Sequence, residues 1–141
     1  MPVKRVLTDA AAAMLAEGYV YVDVRSVPEF QAGHPAGAYN VPLVHRVPGR
    51  GPVANPDFAA VMERRFPRDA KLVVGCATGG RSLRAAEMLV AAGWTDVVDH
   101  QPGFEGARDA LGRMAKGWRD SGLPVETQAP GRTWDDLKSQ G

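Results

Sequence analysis

The chain has 141 residues, of which 45% are hydrophobic and 23% charged, so it is long enough for one globular domain with its own core. Its formal net charge of +1 argues against the strongly basic surface that nucleic-acid-binding proteins use. The single cysteine, Cys76, excludes an intramolecular disulfide. No apolar run has the length of a signal peptide or a membrane span, and we therefore expect a cytoplasmic protein without membrane or nucleic-acid partners.

The first part of the chain alternates predicted helices and strands. Thr8 is suited to cap a helix over residues 9–17, which ends at Gly18. Residues 19–24 are β-branched or aromatic at nearly every position, which is typical of a strand buried on both faces. The next two predicted elements are a short helix from Pro28 to Phe30, which ends at Gly33, and a strand over residues 38–41.

The remainder of the chain continues this alternation. Residues 46–56 hold three prolines and two glycines and are predicted as a loop. The predicted elements after it are a helix capped by Asn55 and ending near residue 66, a buried strand over 71–75, a helix over 81–92, a strand over 95–99, and a last helix over about 104–121. A polar tail follows, with Trp134 as a candidate anchor. The alternation predicts an α/β fold with a mostly parallel central sheet and helices on both faces.

The segment directly after the strand over residues 71–75 is the best candidate for chemistry. Ligands bind at the carboxyl ends of parallel strands, and small residues and glycines let a backbone curl there with its N–H groups inward. Together with the start of the following helix, these donors would stabilise a thiolate and an anionic substrate. We therefore predict Cys76 as a nucleophile, although a lone cysteine is often an inert core residue. The predicted substrate-binding residues are Ala77, Thr78, Gly79, Gly80, Arg81 and Ser82.

This loop resembles the active-site loop of single-domain rhodaneses, in which a cysteine begins a short loop that ends in Gly-x-Arg-Ser. A second signature of that family is similar to residues 21–25, Glu29-Phe30, Gly33-His34 and residues 37–42. The segments 55–58 and 122–125 also look like those of small bacterial and plant members. The resemblance covers about residues 6–125 of a predicted single rhodanese domain over residues 1–141, with 126–141 as a polar extension.

The resemblance implies a thiosulfate sulfurtransferase with a persulfide mechanism. The Cys76 thiolate would take a sulfane sulfur from an anionic donor such as thiosulfate and pass it to a thiophilic acceptor such as cyanide, in two half-reactions. It implies no metal and no organic cofactor. The short loop favours thiosulfate over mercaptopyruvate as donor, and a protein acceptor is left open.

Three charged residues of the second signature have two possible roles. In the first, Arg25 lies near the anion site. In the second, an ion-pair and turn network of Asp23, Arg25 and Glu29 supports the loop. We favour the second role, because partly buried ion pairs more often set geometry than chemistry. His34 is interpreted as a turn residue. Trp94, Trp118 and Trp134 are interpreted as packing residues. The segment 101–118 departs from the family pattern, which often has paired glycines there.

Two alternatives stay open. A cysteine phosphatase or arsenate reductase uses the same kind of loop, but it needs an arginine six positions after the cysteine. Ser82 occupies that position, and Arg81 lies one residue early. A rhodanese-like binding or sulfur-carrier module without turnover is the other alternative, although such modules often lack the cysteine.

Overall fold

A five-stranded parallel β-sheet forms the centre of the protein, in a computed structural model that describes residues 3–139. The strands are β1 (Lys4–Val6), β2 (Val20–Asp23), β3 (His34–Pro35), β4 (Tyr39–Asn40), β5 (Val44–Val47), β6 (Gly51–Ala54), β7 (Lys71–Gly75), β8 (Asp96–His100), β9 (Ala107–Arg108), β10 (Met114–Ala115) and β11 (Val125–Glu126). The helices are α1 (Thr8–Ala16), α2 (Val27–Ala32), α3 (Phe58–Arg65), α4 (Gly80–Ala91) and α5 (Trp134–Lys138). Within residues 3–139, no helix combines the length and apolar character needed to cross a bilayer.

The central sheet has the strand order β1-β8-β7-β2-β4, and every neighbouring pair is parallel. The predicted α/β fold with a parallel sheet is therefore confirmed. Since all five strands run the same way, their carboxyl ends meet at one edge. β7 lies in the middle, so the residues that follow it are flanked by the ends of both β2 and β8.

Helices cover both faces of the sheet, which explains why its strands are apolar at successive positions. Tyr21 and Val73 pack on one face with Ala11 of α1 and Phe30 of α2. The alternate positions, such as Val74, pack on the other face with residues of α3, α4 and α5. The period of two along each strand thus sends successive side chains into two separate cores.

The predicted last helix over residues 104–121 is wrong. This segment holds the short antiparallel hairpin β9–β10 and several turns. Gly106 and Gly112 adopt φ values of +102° and +80°, which a helix cannot accommodate. Glycines in an apparently helical pattern marked turns here.

The predicted loop over residues 46–56 is partly wrong as well. It contains most of an antiparallel hairpin, in which β5 pairs with β6. The residues that suggested a loop form its turn, where Gly49 and Gly51 have positive φ values of +79° and +72°. Asn55 lies before α3, and its side-chain oxygen accepts a hydrogen bond from the backbone of Asp57 at 2.9 Å, so the helix begins later than predicted.

The C-terminal extension folds back on the domain. Trp134 and Leu137 of α5 are buried in the core on the α3 and α4 face, as the prediction of Trp134 as an anchor requires. The carbonyl of Arg132 accepts a hydrogen bond from the backbone of Asn40 at 2.9 Å, and its guanidinium donates to the carbonyl of Ala38 at 2.8 Å. The extension thereby covers the edge strand β4, which would otherwise expose unpaired backbone groups.

Trp134→Ala is expected to lower the free energy of unfolding by about 3–5 kcal/mol, because it removes a large buried side chain and leaves a cavity. Urea denaturation would measure the change. Lys138→Ala on the exposed side of the same helix is the control, with an expected change within about 0.5 kcal/mol. A change as small for Trp134→Ala as for Lys138→Ala would show that burial of α5 does not stabilise the domain.

Candidate active site

Cys76 lies at the carboxyl edge of the sheet, directly after the central strand β7. In the strand register, Gly75 is opposite Asp23 of β2, and Val74 is opposite Asp99 of β8. The structure therefore brings the cysteine between the ends of two neighbouring strands that are distant in sequence. Cys76 is only 1% exposed.

The loop after Cys76 turns sharply back toward its sulfur atom. Gly79 has a φ of +96°, and its backbone N–H donates to Cys76 Sγ at 3.1 Å. The Cys76 thiol in turn donates to Ser82 Oγ at 3.4 Å. α4 begins at Gly80, so the positive end of its dipole faces the same loop. The arrangement provides donors to a charged sulfur.

The segment at Phe104 and Glu105, which lies outside the loop, holds the peptide groups of this loop in place. The backbone N–H groups of Phe104 and Glu105 donate to the carbonyls of Cys76 and Ala77, at 2.8 and 2.9 Å. In a trans peptide the N–H points opposite to the C=O, so the amides of Ala77 and Thr78 point away from that segment. This support was not predicted from the sequence. The signal available for it was the turn at Pro102-Gly103.

Arg81 is held by Glu29 in a two-point ion pair. Its Nη1 and Nη2 atoms donate to the two carboxylate oxygens of Glu29 at 2.7 and 3.0 Å. Burial acts to raise the pKa of Glu29, but hydrogen bonds from Arg81 and Ser26 outweigh it and lower that pKa to about 2. Glu29 also completes a capping box with Ser26 at the start of α2. The pair therefore ties the loop to α2.

Asp23 and Arg25 form a second, fully buried ion pair. Arg25 Nη2 lies 2.7 Å from Asp23 Oδ2 and also donates to the carbonyl of Gly33 at 2.7 Å. The guanidinium lies over the Phe104 ring at 4.4 Å from its centroid. The single network predicted for Asp23, Arg25 and Glu29 is thus two separate ion pairs, Asp23 with Arg25 and Glu29 with Arg81.

A cavity of about 270 Å³ lies beside the loop. Arg25, Glu29, Phe104, Glu105 and Arg119 contribute to its lining. It contains both cationic and anionic groups, and it borders Phe104 and Glu105, whose backbone N–H groups hold the Cys76 loop. Within residues 3–139, no group of three or more His, Cys, Asp or Glu side chains is arranged to hold a metal ion.

A chain of buried hydrogen bonds lies beneath the loop. Tyr21 Oη contacts His100 Nδ1 at 2.7 Å, and His100 Nε2 contacts Thr8 Oγ1 at 2.8 Å. Thr8 donates to the carbonyl of Lys116, so it must accept from His100, and Tyr21 must donate to Nδ1. Thr8 therefore does not cap α1, contrary to the prediction, since its hydroxyl is engaged in this chain. Burial lowers the pKa of His100 to about 4, and the imidazole is neutral at pH 7.

His100 is expected to cost the protein stability in mild acid. Between about pH 6.5 and pH 4 the unfolded chain binds this proton and the folded chain does not, so stability falls as the pH falls through that window. The contribution amounts to about 3 kcal/mol at pH 4. Urea denaturation at pH 7 and pH 4.5 would measure it, with His100→Gln expected to lose less stability than the wild type on acidification. An equal loss in both proteins would contradict the assignment.

The remaining residues singled out from the sequence lie outside the loop. His34 is buried and stacks on Phe30, with 3.7 Å between ring centroids. The three tryptophans, interpreted as packing residues, are all buried: Trp94, Trp118 and Trp134.

Comparison with known proteins identifies a family for this chain. The model of the rhodanese-like domain family matches residues 7–110. Senescence-associated protein DIN1 of Raphanus sativus is 38% identical over 109 residues, which are 77% of this chain and 53% of that protein, so the chain spans about half its length. Thiosulfate sulfurtransferase 16 of Arabidopsis thaliana, a chloroplastic protein, is 36% identical over 113 residues, covering 80% of this chain and 84% of that one.

The fold is also found among solved structures. The crystal structure of Rv0390 from M. tuberculosis superposes with a TM-score of 0.73 at 31% identity, covering 91% of this chain and all of that one. The family model matches most of the length of this chain, and the parallel sheet and the cysteine loop are both present. The chain therefore belongs to the rhodanese-like domain family.

Proposed function

We propose that the protein is a sulfurtransferase in which Cys76 carries the transferred sulfur as a persulfide, with thiosulfate or a similar anion as donor. The observation that carries the proposal is the set of groups around the sulfur: the Gly79 N–H, which donates to Sγ at 3.1 Å, the Ser82 hydroxyl, which accepts from the thiol at 3.4 Å, and the start of α4. The relative named thiosulfate sulfurtransferase 16 supports the same assignment.

Two displacement steps describe the reaction. The Cys76 thiolate attacks the outer sulfur of thiosulfate, the sulfur–sulfur bond of the donor breaks, and sulfite leaves with the electron pair. A nucleophilic acceptor such as cyanide then attacks the outer sulfur of the persulfide, and Cys76 leaves again as thiolate. Charge is conserved in both steps, and neither step needs a proton.

The position of Arg81 favours sulfur transfer over phosphate chemistry. Its guanidinium makes two hydrogen bonds to Glu29, and Ser82 occupies the sixth position after the cysteine. A phosphatase or arsenate reductase needs an arginine there to bind a tetrahedral oxyanion.

We propose the cytoplasm as the compartment, since a chain with one cysteine does not depend on disulfides.

Intact-mass analysis after incubation with thiosulfate tests the proposal. The expected result is a gain of one sulfur (about 32 Da, one sulfur atom added at an activated cysteine) that cyanide removes and that prior alkylation of Cys76 prevents. Hydrolysis of an aryl phosphate or reduction of arsenate without this gain would support the phosphatase or arsenate reductase. Absence of all three activities would support the binding module.

A further inference from the structure

A buried carboxylate lies behind the candidate nucleophile. Asp99 is fully buried near the carboxyl end of β8, two positions after Val97, which packs in the core beside α4. The alternation along β8 thus places Asp99 on the α4 face, toward the helix that carries Ser82. Asp99 Oδ2 accepts a hydrogen bond from Arg5 Nε at 2.7 Å.

The second oxygen of this carboxylate lacks an aligned donor. Within residues 3–139, Asp99 Oδ1 has no hydrogen-bond partner, although it is buried. Burial raises the pKa of the Asp99 carboxyl, and the nearby Ser82 hydroxyl and Arg5 lower it only in part. An unpaired buried carboxylate is costly, so a hydroxyl that can rotate toward it gains free energy by doing so.

Ser82 is placed to connect Asp99 with Cys76. Its hydroxyl has one proton to donate and can accept through its lone pairs. Because Ser82 Oγ accepts from the Cys76 thiol at 3.4 Å, its own proton is available for Asp99. Ser82 is itself fully buried, so water does not compete for that proton. The three side chains thus form the order Cys76, Ser82, Asp99.

We infer that Asp99 is a positioning residue that takes up, through Ser82, the proton which Cys76 loses when its thiolate forms. The inference rests on the proposed role of Cys76 as the nucleophile. The S–H bond of Cys76 breaks, Ser82 gains that proton and gives its own to Asp99 Oδ1, and no charge enters or leaves the site. The thiolate then accepts hydrogen bonds from Ser82 Oγ–H and from Gly79 N–H, and the electron pair of the S–H bond stays on sulfur.

Arg5 links this acid to the loop. Besides its bond to Asp99, it donates from Nη2 to the carbonyl of Gly79 at 3.2 Å. Since the N–H of Gly80 belongs to the same peptide group, that bond turns the N–H to the opposite side, away from Arg5. The Arg5 guanidinium on β1 therefore positions both the Asp99 carboxyl group and the peptide group between Gly79 and Gly80.

The surrounding charges act on both ends of the relay. Tyr21 and Arg81 are among the groups close enough to interact with a charge on Cys76. Arg5, Glu87 and Tyr21 interact in the same way with a charge on Asp99. Arg81 favours the thiolate, and Glu87 favours a protonated Asp99, whereas Arg5 favours the ionised acid. Tyr21 stays neutral because burial raises its pKa well above the usual value. His100, next to Asp99, is neutral at pH 7 as well, because burial lowers its pKa to about 4.

The thiolate titration of the whole chain tests the inference. Ultraviolet absorbance reports the thiolate without a sulfur donor, and Cys76 is its single source in this chain, with Cys76→Ser as baseline. In Asp99→Asn the titration midpoint is expected to stay within about half a pH unit of the wild type, because asparagine is neutral like the protonated Asp99 that accompanies the thiolate. A midpoint that falls by about one pH unit or more, a tenfold higher thiolate-to-thiol ratio at a fixed pH, would overturn the inference, because removal of a static negative charge favours the thiolate.

Two more variants distinguish the relay from unrelated effects. Ser82→Ala removes the hydroxyl that donates to the thiolate but leaves the pair of Arg5 and Asp99, and its midpoint is expected to rise. An unchanged or lower midpoint would overturn the role of Ser82 in the relay. Arg84→Gln is the charge control on the exposed side of α4, with an expected shift below about 0.3 units, within the range of surface substitutions.

Infrared spectroscopy supplies a test that does not depend on the folding of Asp99→Asn. At neutral pH the wild type is expected to show the band of a buried protonated carboxyl group, and Cys76→Ser, which lacks the thiol proton, is expected to lack it. Absence of the band in the wild type would overturn the inference. Neither readout uses thiosulfate, so failure of the relay is distinguishable from failure to form a persulfide.

Discussion

Replacing Cys76 by serine is expected to reduce kcat/KM for thiosulfate by at least about a thousandfold, as removal of a covalent nucleophile does in other enzymes. A serine hydroxyl is nearly the same size, so the loop keeps its shape, but it is a far weaker nucleophile than a thiolate and cannot hold a sulfur as a persulfide. The chain has no second cysteine to replace it. Steady-state formation of thiocyanate would measure the loss.

The fold of Cys76→Ser is the control for this experiment. Its midpoint of thermal unfolding is expected to stay close to that of the wild type, because Cys76 contributes little buried volume beyond that of serine. Activity within tenfold of the wild type in a folded variant would contradict the role of Cys76. It would then move the search for the nucleophile to another residue.

Gly79→Ala is expected to remove most of the sulfurtransferase activity and to destabilise the protein by about 3 kcal/mol or more. At its φ of +96° a side chain is strained, and a Cβ atom there would overlap the backbone carbonyl of Gln101 and lie 3.0 Å from Arg5 Nη2. Relief of that overlap has to move the loop, and with it the N–H that donates to Cys76 Sγ. Urea denaturation and the thiocyanate assay would measure the two effects.

The adjacent glycine provides a matched control for stability. A Cβ atom at Gly80 would meet nothing within 4 Å, and the residue begins α4 without a positive φ. Gly80→Ala is therefore expected to keep or raise the free energy of unfolding, by up to about 1 kcal/mol from helix propensity. Equal destabilisation by the two substitutions would mean that the conformation of Gly79 has no special importance.

Much of the fold was predictable because its signals are local. The runs at residues 19–24 and 71–75 are apolar at most successive positions, which is typical of a strand covered on both faces, and both contain strands of the parallel sheet. The position of Cys76 between a strand and a helix was equally visible. Where local signals were ambiguous, as with the glycines of the segment 101–118, the prediction of a helix was wrong.

The cysteine loop, the parallel α/β class and the anchoring tryptophan of the tail all follow from local features of the sequence. The pairing of the charged residues, in contrast, depends on tertiary contacts. Glu29 meets Arg81 across 52 residues, and Arg5 meets Asp99 across 94. Such partners leave no periodic or compositional trace, because they are selected by the order of strands in the sheet. The loop of Cys76 can thus be recognised from the sequence. The residues that hold the loop in its conformation and that accept the Cys76 proton come together only when the chain folds.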